Sequence, residues 1–397
     1  MRTQAATLVS SVLMAAACAP LTPRPTPFYA VDSASAIPAT PGTLIRQAPL
    51  KGAPVQAHAY RVLYSSTGLD GAPIAVSGIV IVPGGPPPSR GWDAVAWAHP
   101  TTGVATGCAP SLRADVFDEI PGLASLLSRG YVVTATDYPG LGTAGVHPYL
   151  VGVSEARAVL DLARAARAIP GESIGVRYAV WGHSQGGQAA LFTAELSASY
   201  APELTLMGVG AAAPASDLGK LIDDDMNTLA GHVLMSYAIW SWVRIYGISA
   251  GEVVRADKMS TIDSVAAHCI VTDREAVLAG RAAVPLDGAF LTFNPDTLPA
   301  WRDLFAQNST GGAVMPAPVF LAQGTADDIV RPAVTLGFAQ HLCETGQRVH
   351  FVSMADVSHV GAAFAAAPAM VAWMTAMFSG NPAPSDCAAL ERGNGGR

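Results

Sequence analysis

Tyr178-Ala179-Val180-Trp181-Gly182-His183-Ser184-Gln185-Gly186-Gly187-Gln188-Ala189-Ala190-Leu191-Phe192 is the stretch that decides the fold. Its first four residues are apolar, β-branched or aromatic and predict a strand, while helix formers dominate from Gln188 onward. Between them stands G-x-S-x-G, the sharp strand-to-helix turn that lifts a serine hydroxyl above a sheet. Glycine fits on both sides because a Cβ there would clash with the turn and the neighbouring strand. With 39 glycines among 397 residues the pattern alone is weak. The strand before it, the helix after it and suitable partners downstream make Ser184 the candidate nucleophile.

The same alternation extends outward. Tyr60–Ser65 and Ile74–Val82 predict a hairpin or meander, and Ala94–Ala98 and Tyr131–Thr136 predict buried strands. Ser154 is placed to cap a helix running to about Ile169, with Val159, Leu162, Ala163 and Ala166 on one face. Leu204–Ala212, Val319–Ala322 and Val349–Val352 predict further strands, and Pro368–Met377 a closing helix. Short apolar strands alternating with helices predict an α/β fold, a mostly parallel sheet covered on both faces. From about Leu218 to Val314 the strand signal lapses and helical runs replace it. His232–Ile248 is apolar enough to suggest a membrane span, but His232, Arg244 and its serines favour a helical cap inserted into the sheet domain.

Composition narrows the function classes. Half of the residues are hydrophobic, 13% are charged and the formal net charge is -7, which argues against nucleic acid as a partner. Met1-Arg2, the apolar run Ala5–Ala17 and the small residues Ala15-Ala16-Ala17 predict a signal peptide over 1–17. Cys18 follows directly and is a candidate lipid acceptor, which would tether the chain to a membrane, although Ala15 stands where leucine is usual in such sites. Residues 18–55 are rich in proline and predict a tether or an arm lying over the domain. The expected order is then core over 56–217, helical cap over 218–314, core again over 315–380 and a C-terminal tail over 381–397. Cys108, Cys269, Cys343 and Cys387 suit two disulfides in an oxidising compartment, with three pairings open. No metal-ligand spacing is recognisable, and no cofactor is expected.

A serine hydroxyl needs a base, and the base needs an orienting acid. In the α/β-hydrolase layout these follow the serine in the order acid, then histidine. Asp327, in Gly324-Thr325-Ala326-Asp327-Asp328, follows a late strand, and His359 follows the last strand before the closing helix. The gap of 143 residues from Ser184 to Asp327 leaves room for the cap. Asp328 is the nearest rival acid, Asp356 is expected to shape the loop of His359, and Asp137 to be structural. His183 is expected to point away from Ser184, and His232, His268, His341 and His350 to lie elsewhere. The oxyanion needs two N–H donors. One falls to Gln185 and the other to the loop His99-Pro100-Thr101-Thr102-Gly103, where Pro100 has no N–H, so Thr101 is first choice and Thr102 second. Gly140-Leu141-Gly142-Thr143-Ala144-Gly145 matches a dinucleotide fingerprint but no helix follows, so it is expected as a loop at the rim of the site.

His99–Gly103, Cys108-Ala109-Pro110-Ser111, Asp137-Tyr138-Pro139-Gly140-Leu141-Gly142, the elbow and the Asp327 loop together resemble the secretory lipase family, the fungal lipase A type and its bacterial relatives, over roughly residues 25 to 378. The resemblance implies an α/β-hydrolase domain with a helical cap and an acyl-binding tunnel, and hydrolysis of carboxylic esters. It places the nucleophile on Ser184, the acid on Asp327, the base on His359 and the oxyanion donors on Gln185 and Thr101. It implies the disulfides Cys108–Cys269 and Cys343–Cys387. The sequence departs from the bacterial pattern at Pro100, where glycine is common. The expected protein is therefore an exported or envelope-anchored serine ester hydrolase acting on small-molecule or lipid esters. A serine peptidase or acyltransferase, or a non-catalytic envelope lipoprotein, is the alternative.

Overall fold

The computed structural model describes residues 23–288 and 290–394. The expected signal peptide over 1–17 and the candidate lipid acceptor Cys18 lie outside the described residues. Nine strands form one sheet: β1 (Leu44–Pro49), β2 (Ala57–Thr67), β3 (Pro73–Pro83), β4 (Trp92–Ala98), β5 (Tyr131–Thr136), β6 (Ile174–His183), β7 (Thr205–Ala212), β8 (Val319–Gly324) and β9 (Val349–Met354). Their order is β1-β2-β3-β5-β4-β6-β7-β8-β9, antiparallel from β1 to β5 and parallel from there to β9. Every residue of β4 and β5 is buried, as strands covered on both faces should be. In β4 the two-residue period sends Ala94, Ala96 and Ala98 to one face and Val95 and Trp97 to the other.

In chain order the α-helices are α1 (Leu123–Ser128), α2 (Gly152–Ala166), α3 (Gln185–Tyr200), α4 (Leu218–Asp225), α5 (Leu229–Tyr246), α6 (Met259–Ala266), α7 (Asp273–Ala283), α8 (Pro299–Gln307), α9 (Pro332–Glu344), α10 (Ala362–Phe378) and α11 (Cys387–Asn394). Helices α2, α3, α9 and α11 cover one face of the sheet, and α1 and α10 the other. Helices α4 to α8 pack on one another around Tyr237, Trp242, Trp301 and Phe305, forming a third cluster that also takes in Val104, Tyr149 and Val151 of the sheet domain. None of the described helices is long and apolar enough to cross a membrane.

Three local readings are corrected. Residues 44–49, expected within the arm, form the edge strand β1, because pairing with β2 supplies their backbone partners. Helix α2 starts at Gly152, so Ser154 lies inside its first turn rather than capping it. Asn308 supplies a cap from a distance, its Oδ1 accepting from Gly152 N–H at 3.2 Å. Helix α10 starts at Ala362 and runs through Pro368. An interior proline costs about 3 kcal/mol, but Ala362, Ala363, Ala366 and Ala367 are all buried, and that packing carries the helix past it.

Candidate active site

Strand β6 ends at His183 and α3 begins at Gln185, leaving Ser184 alone in the turn with φ 57° and ψ -120°. A non-glycine residue rarely adopts this conformation, and such strain persists only where surrounding structure over-determines it. Here Ser184 N–H donates to Ala212 O at 3.0 Å and Ser184 C=O accepts from Ala215 N–H at 3.1 Å. A Cβ on Gly182 would collide with the carbonyl of Gly186, and one on Gly186 with the carbonyls of Ala98 and His99. Both glycines are therefore obligatory for the turn.

The three residues ordered along the chain meet in space. His359 Nε2 lies 2.9 Å from Ser184 Oγ, and His359 Nδ1 lies 2.9 Å from Asp327 Oδ2. Asp327 Oδ1 accepts from the N–H groups of Ile329 and Val330 at 3.0 and 2.9 Å, and Oδ2 also accepts from Gln323 Nε2 at 3.0 Å. Burial raises the carboxyl's pKa, but the hydrogen bond and charge of His359, with those N–H donors, outweigh it and hold Asp327 below the usual carboxylate range. Because Nδ1 faces a carboxylate, it carries the proton in the neutral ring, which leaves Nε2 free to accept from the serine. Asp328 is exposed and makes no bond to His359. Asp356 sits at φ 59° and its N–H donates to Thr325 Oγ1, within the loop that leads to His359.

His183 makes no hydrogen bond to Ser184 but lines the same cavity. Its ring packs against that of His359, centroids 4.8 Å apart, and burial together with His359 drives its pKa down to about 3, so it stays uncharged. His232 lies on α5, His341 on α9, and His350 on β9, where it bonds Asp386. Asp137 is buried and held by Ser77 Oγ and by Ser111 through its N–H and Oγ, a structural carboxylate.

Directly after Ser184 comes the first turn of α3, whose leading N–H groups have no intrahelical partner. Gln185 N–H is among them. Thr101 lines the cavity beside Ser184, and its Oγ1 lies 3.0 Å from Tyr149 Oη. The next residues are tied to the helical segment: Ile270 N–H donates to Thr102 O at 3.0 Å, and Gly103 bridges Cys269. Cys108–Cys269 closes the same junction covalently, across 161 residues, while Cys343–Cys387 ties α11 to α9. Arg113 adds an ion pair to Glu275 of α7 at 3.3 Å, both side chains nearly buried. The segment from Gly140 to Thr143 is buried under the Cys108–Cys269 bond rather than at the rim of the cavity, with Gly142 N–H donating to Thr106 O.

A mostly apolar cavity of about 430 Å³ opens onto Ser184 and His359. Its walls come from both layers: Trp97, Val116 and Ile120 from the sheet domain, Val233, Leu234 and Ile270 from the helical segment. Among the described residues no cluster of three or more His, Cys, Asp or Glu side chains could hold a metal ion.

Sequence reading missed Gln323, whose amide fixes Asp327 while its Oε1 accepts from Thr335 Oγ1 at 2.6 Å. It also missed a buried polar group behind the elbow, where Gln185 Nε2 donates to Glu155 Oε1 at 2.7 Å and to His147 Nε2 at 3.2 Å. One signal was present: Glu155 stands a helical turn before Val159, on the apolar face of α2.

The model of the family described as secretory lipase matches residues 115–386. A probable inactive lipase of Mycobacterium tuberculosis is 26% identical over 91% of this chain and 84% of its own length. Lipase 5 of Candida albicans is 27% identical over 68% of this chain and 60% of its own length. Among solved structures, that of Candida antarctica lipase A matches 91% of this chain and 87% of its own with a TM-score of 0.72 at 17% identity, a likeness of fold.

Proposed function

The chain belongs to the secretory lipase family and so to the carboxylic ester hydrolases; within that class we propose that it is a serine hydrolase of hydrophobic acyl esters working through an acyl-enzyme. Ser184 Oγ attacks the ester carbonyl while His359 Nε2 takes its proton. His359 then delivers that proton to the leaving alcohol, and Asp327 holds the imidazolium. The backbone N–H groups of Gln185 and Thr101 receive the oxyanion. Water, activated by the same histidine, releases the acid.

The observation that carries this reading is the unbroken run of hydrogen bonds from Ser184 through His359 to Asp327, opening onto an apolar cavity. One relative is named a probable inactive lipase, so turnover itself is the first thing to measure. The cavity's apolar walls favour acyl chains over peptides. Export is coherent with the family and with two disulfides, which persist in oxidising compartments.

The test is hydrolysis of p-nitrophenyl esters from acetate to palmitate, with Ser184→Ala as control. We expect turnover that vanishes in Ser184→Ala, with a preference for medium or long chains. No turnover across the series sinks the reading in favour of a peptidase, an acyltransferase or a binding protein.

A further inference from the structure

Glu155 is fully buried on α2, in contact with the residue that follows the nucleophile. Its Oε1 accepts from Gln185 Nε2 at 2.7 Å and from Leu150 N–H at 3.1 Å. Its Oε2 has no partner, and neither does Gln185 Oε1. Two buried acceptors on side chains already joined by one hydrogen bond lack a single thing, a donor between them. An orphaned buried acceptor costs roughly 1–3 kcal/mol.

We propose that Glu155 is a positioning residue that works in its protonated form, closing a cyclic acid–amide pair with Gln185 and so fixing the Gln185 backbone N–H that receives the oxyanion. In that pair Gln185 Nε2–H donates to Glu155 Oε1, and Glu155 Oε2–H donates to Gln185 Oε1. The second amide hydrogen goes to His147 Nε2, free to accept because Nδ1 faces Pro139 O at 2.9 Å. Every polar atom of the Gln185 side chain is then satisfied.

The surroundings suit a neutral acid. Burial pushes the Glu155 carboxyl up to about 8, against its two hydrogen bonds, and burial holds His147 down to about 3, so no imidazolium compensates. The other titratable groups facing it are Tyr138, Tyr149 and Tyr246, all with pKa values raised by burial. A carboxylate in this place would set negative charge behind the site where the oxyanion develops. The same pair reaches the second donor. Leu150, held by Glu155 at φ 55°, follows Tyr149, whose hydroxyl meets Thr101. Cap helix α5 grips this segment through Ser241 Oγ and Trp242 Nε1.

The inference rests on the ester-hydrolase reading, and two measurements separate them. The first is the pH profile of kcat and KM on p-nitrophenyl butyrate for wild type, Glu155→Ala and Glu155→Gln. Glu155→Ala should lower kcat about ten-fold with KM nearly unchanged. Glu155→Gln, which keeps a donor and an acceptor but cannot ionise, should restore kcat and remove the decline expected of wild type above about pH 8. If Glu155→Gln folds yet loses as much as alanine, or keeps the alkaline decline, the proposal is overturned.

The second is the melting temperature against pH for Ser184→Ala with and without Glu155→Gln. The native state holds a proton that the unfolded chain releases near the ordinary carboxylate value. The protein with Glu155 should therefore lose stability as pH rises from 5 to 8, relative to the glutamine variant. Coincident curves overturn the acid–amide pair even if esters are hydrolysed. Diverging curves in a protein that hydrolyses no ester uphold the pair and sink the ester-hydrolase reading.

Discussion

Two buried carboxyls flank the nucleophile elbow and are treated in opposite ways. Asp327, on the base side, receives three N–H donors besides His359 and is kept ionised. Glu155, on the oxyanion side, receives two donors at one oxygen, none at the other, and is pushed toward neutrality. Burial is common to both, so hydrogen-bond supply decides the charge. In the proposed mechanism, negative charge is thereby concentrated beside the imidazolium and kept away from the oxyanion.

Ser184→Ala should have the largest effect, lowering kcat/KM by about ten-thousand-fold or more with little change in melting temperature. Next comes the sharpest test of the contrast, one carboxyl-to-amide change made on each side. Asp327→Asn should cost about a thousand-fold to ten-thousand-fold in kcat, because it offers His359 the wrong partner. Glu155→Gln should leave kcat near pH 7 within a few-fold of wild type. Similar losses in both would break the comparison.

The pH dependence of stability carries the same contrast with opposite signs. Asp327, held low, contributes stability above the ordinary carboxylate value that is lost as pH falls through its lowered value. The stability difference between wild type and Asp327→Asn should therefore shrink in acid, as urea unfolding across pH would show.

The two disulfides should give the smallest effects on turnover. Replacing Cys343 and Cys387 by serine should cost about 2–4 kcal/mol of stability and leave kcat unchanged, since that bond ties α11 to α9. Replacing Cys108 and Cys269 should cost a similar amount and also lower kcat several-fold, because the loop carrying Thr101 then loses its covalent hold on the helical segment. Equal kcat in the two double variants would remove that loop from the account.

The parts legible in the sequence were those set by local rules. Gly182 and Gly186 around Ser184 announce the turn because no other residue fits it, and the chain order of Asp327 and His359 follows from strands ending at one edge of a parallel sheet. What escaped was made by long-range crossings. Asn308 caps α2 from 156 residues away, and an alanine face carries α10 through Pro368. The packing of His183 against His359 also escaped, because it joins residues 176 positions apart. Glu155 lay in view on an apolar face, but its meaning depended on Gln185, 30 residues on.

The bond between Cys108 and Cys269 gives the timing of competence a physical handle. The first cysteine is synthesised 161 residues before the second, so the loop beside Ser184 cannot be locked until most of the helical segment exists and an oxidant is present. A chain still among reducing thiols can have its sheet and its elbow complete while Thr102 and Gly103 are held by backbone contacts alone. The cystine thus makes the final hold on this loop conditional on oxidising surroundings, a requirement that the sheet and the elbow do not share.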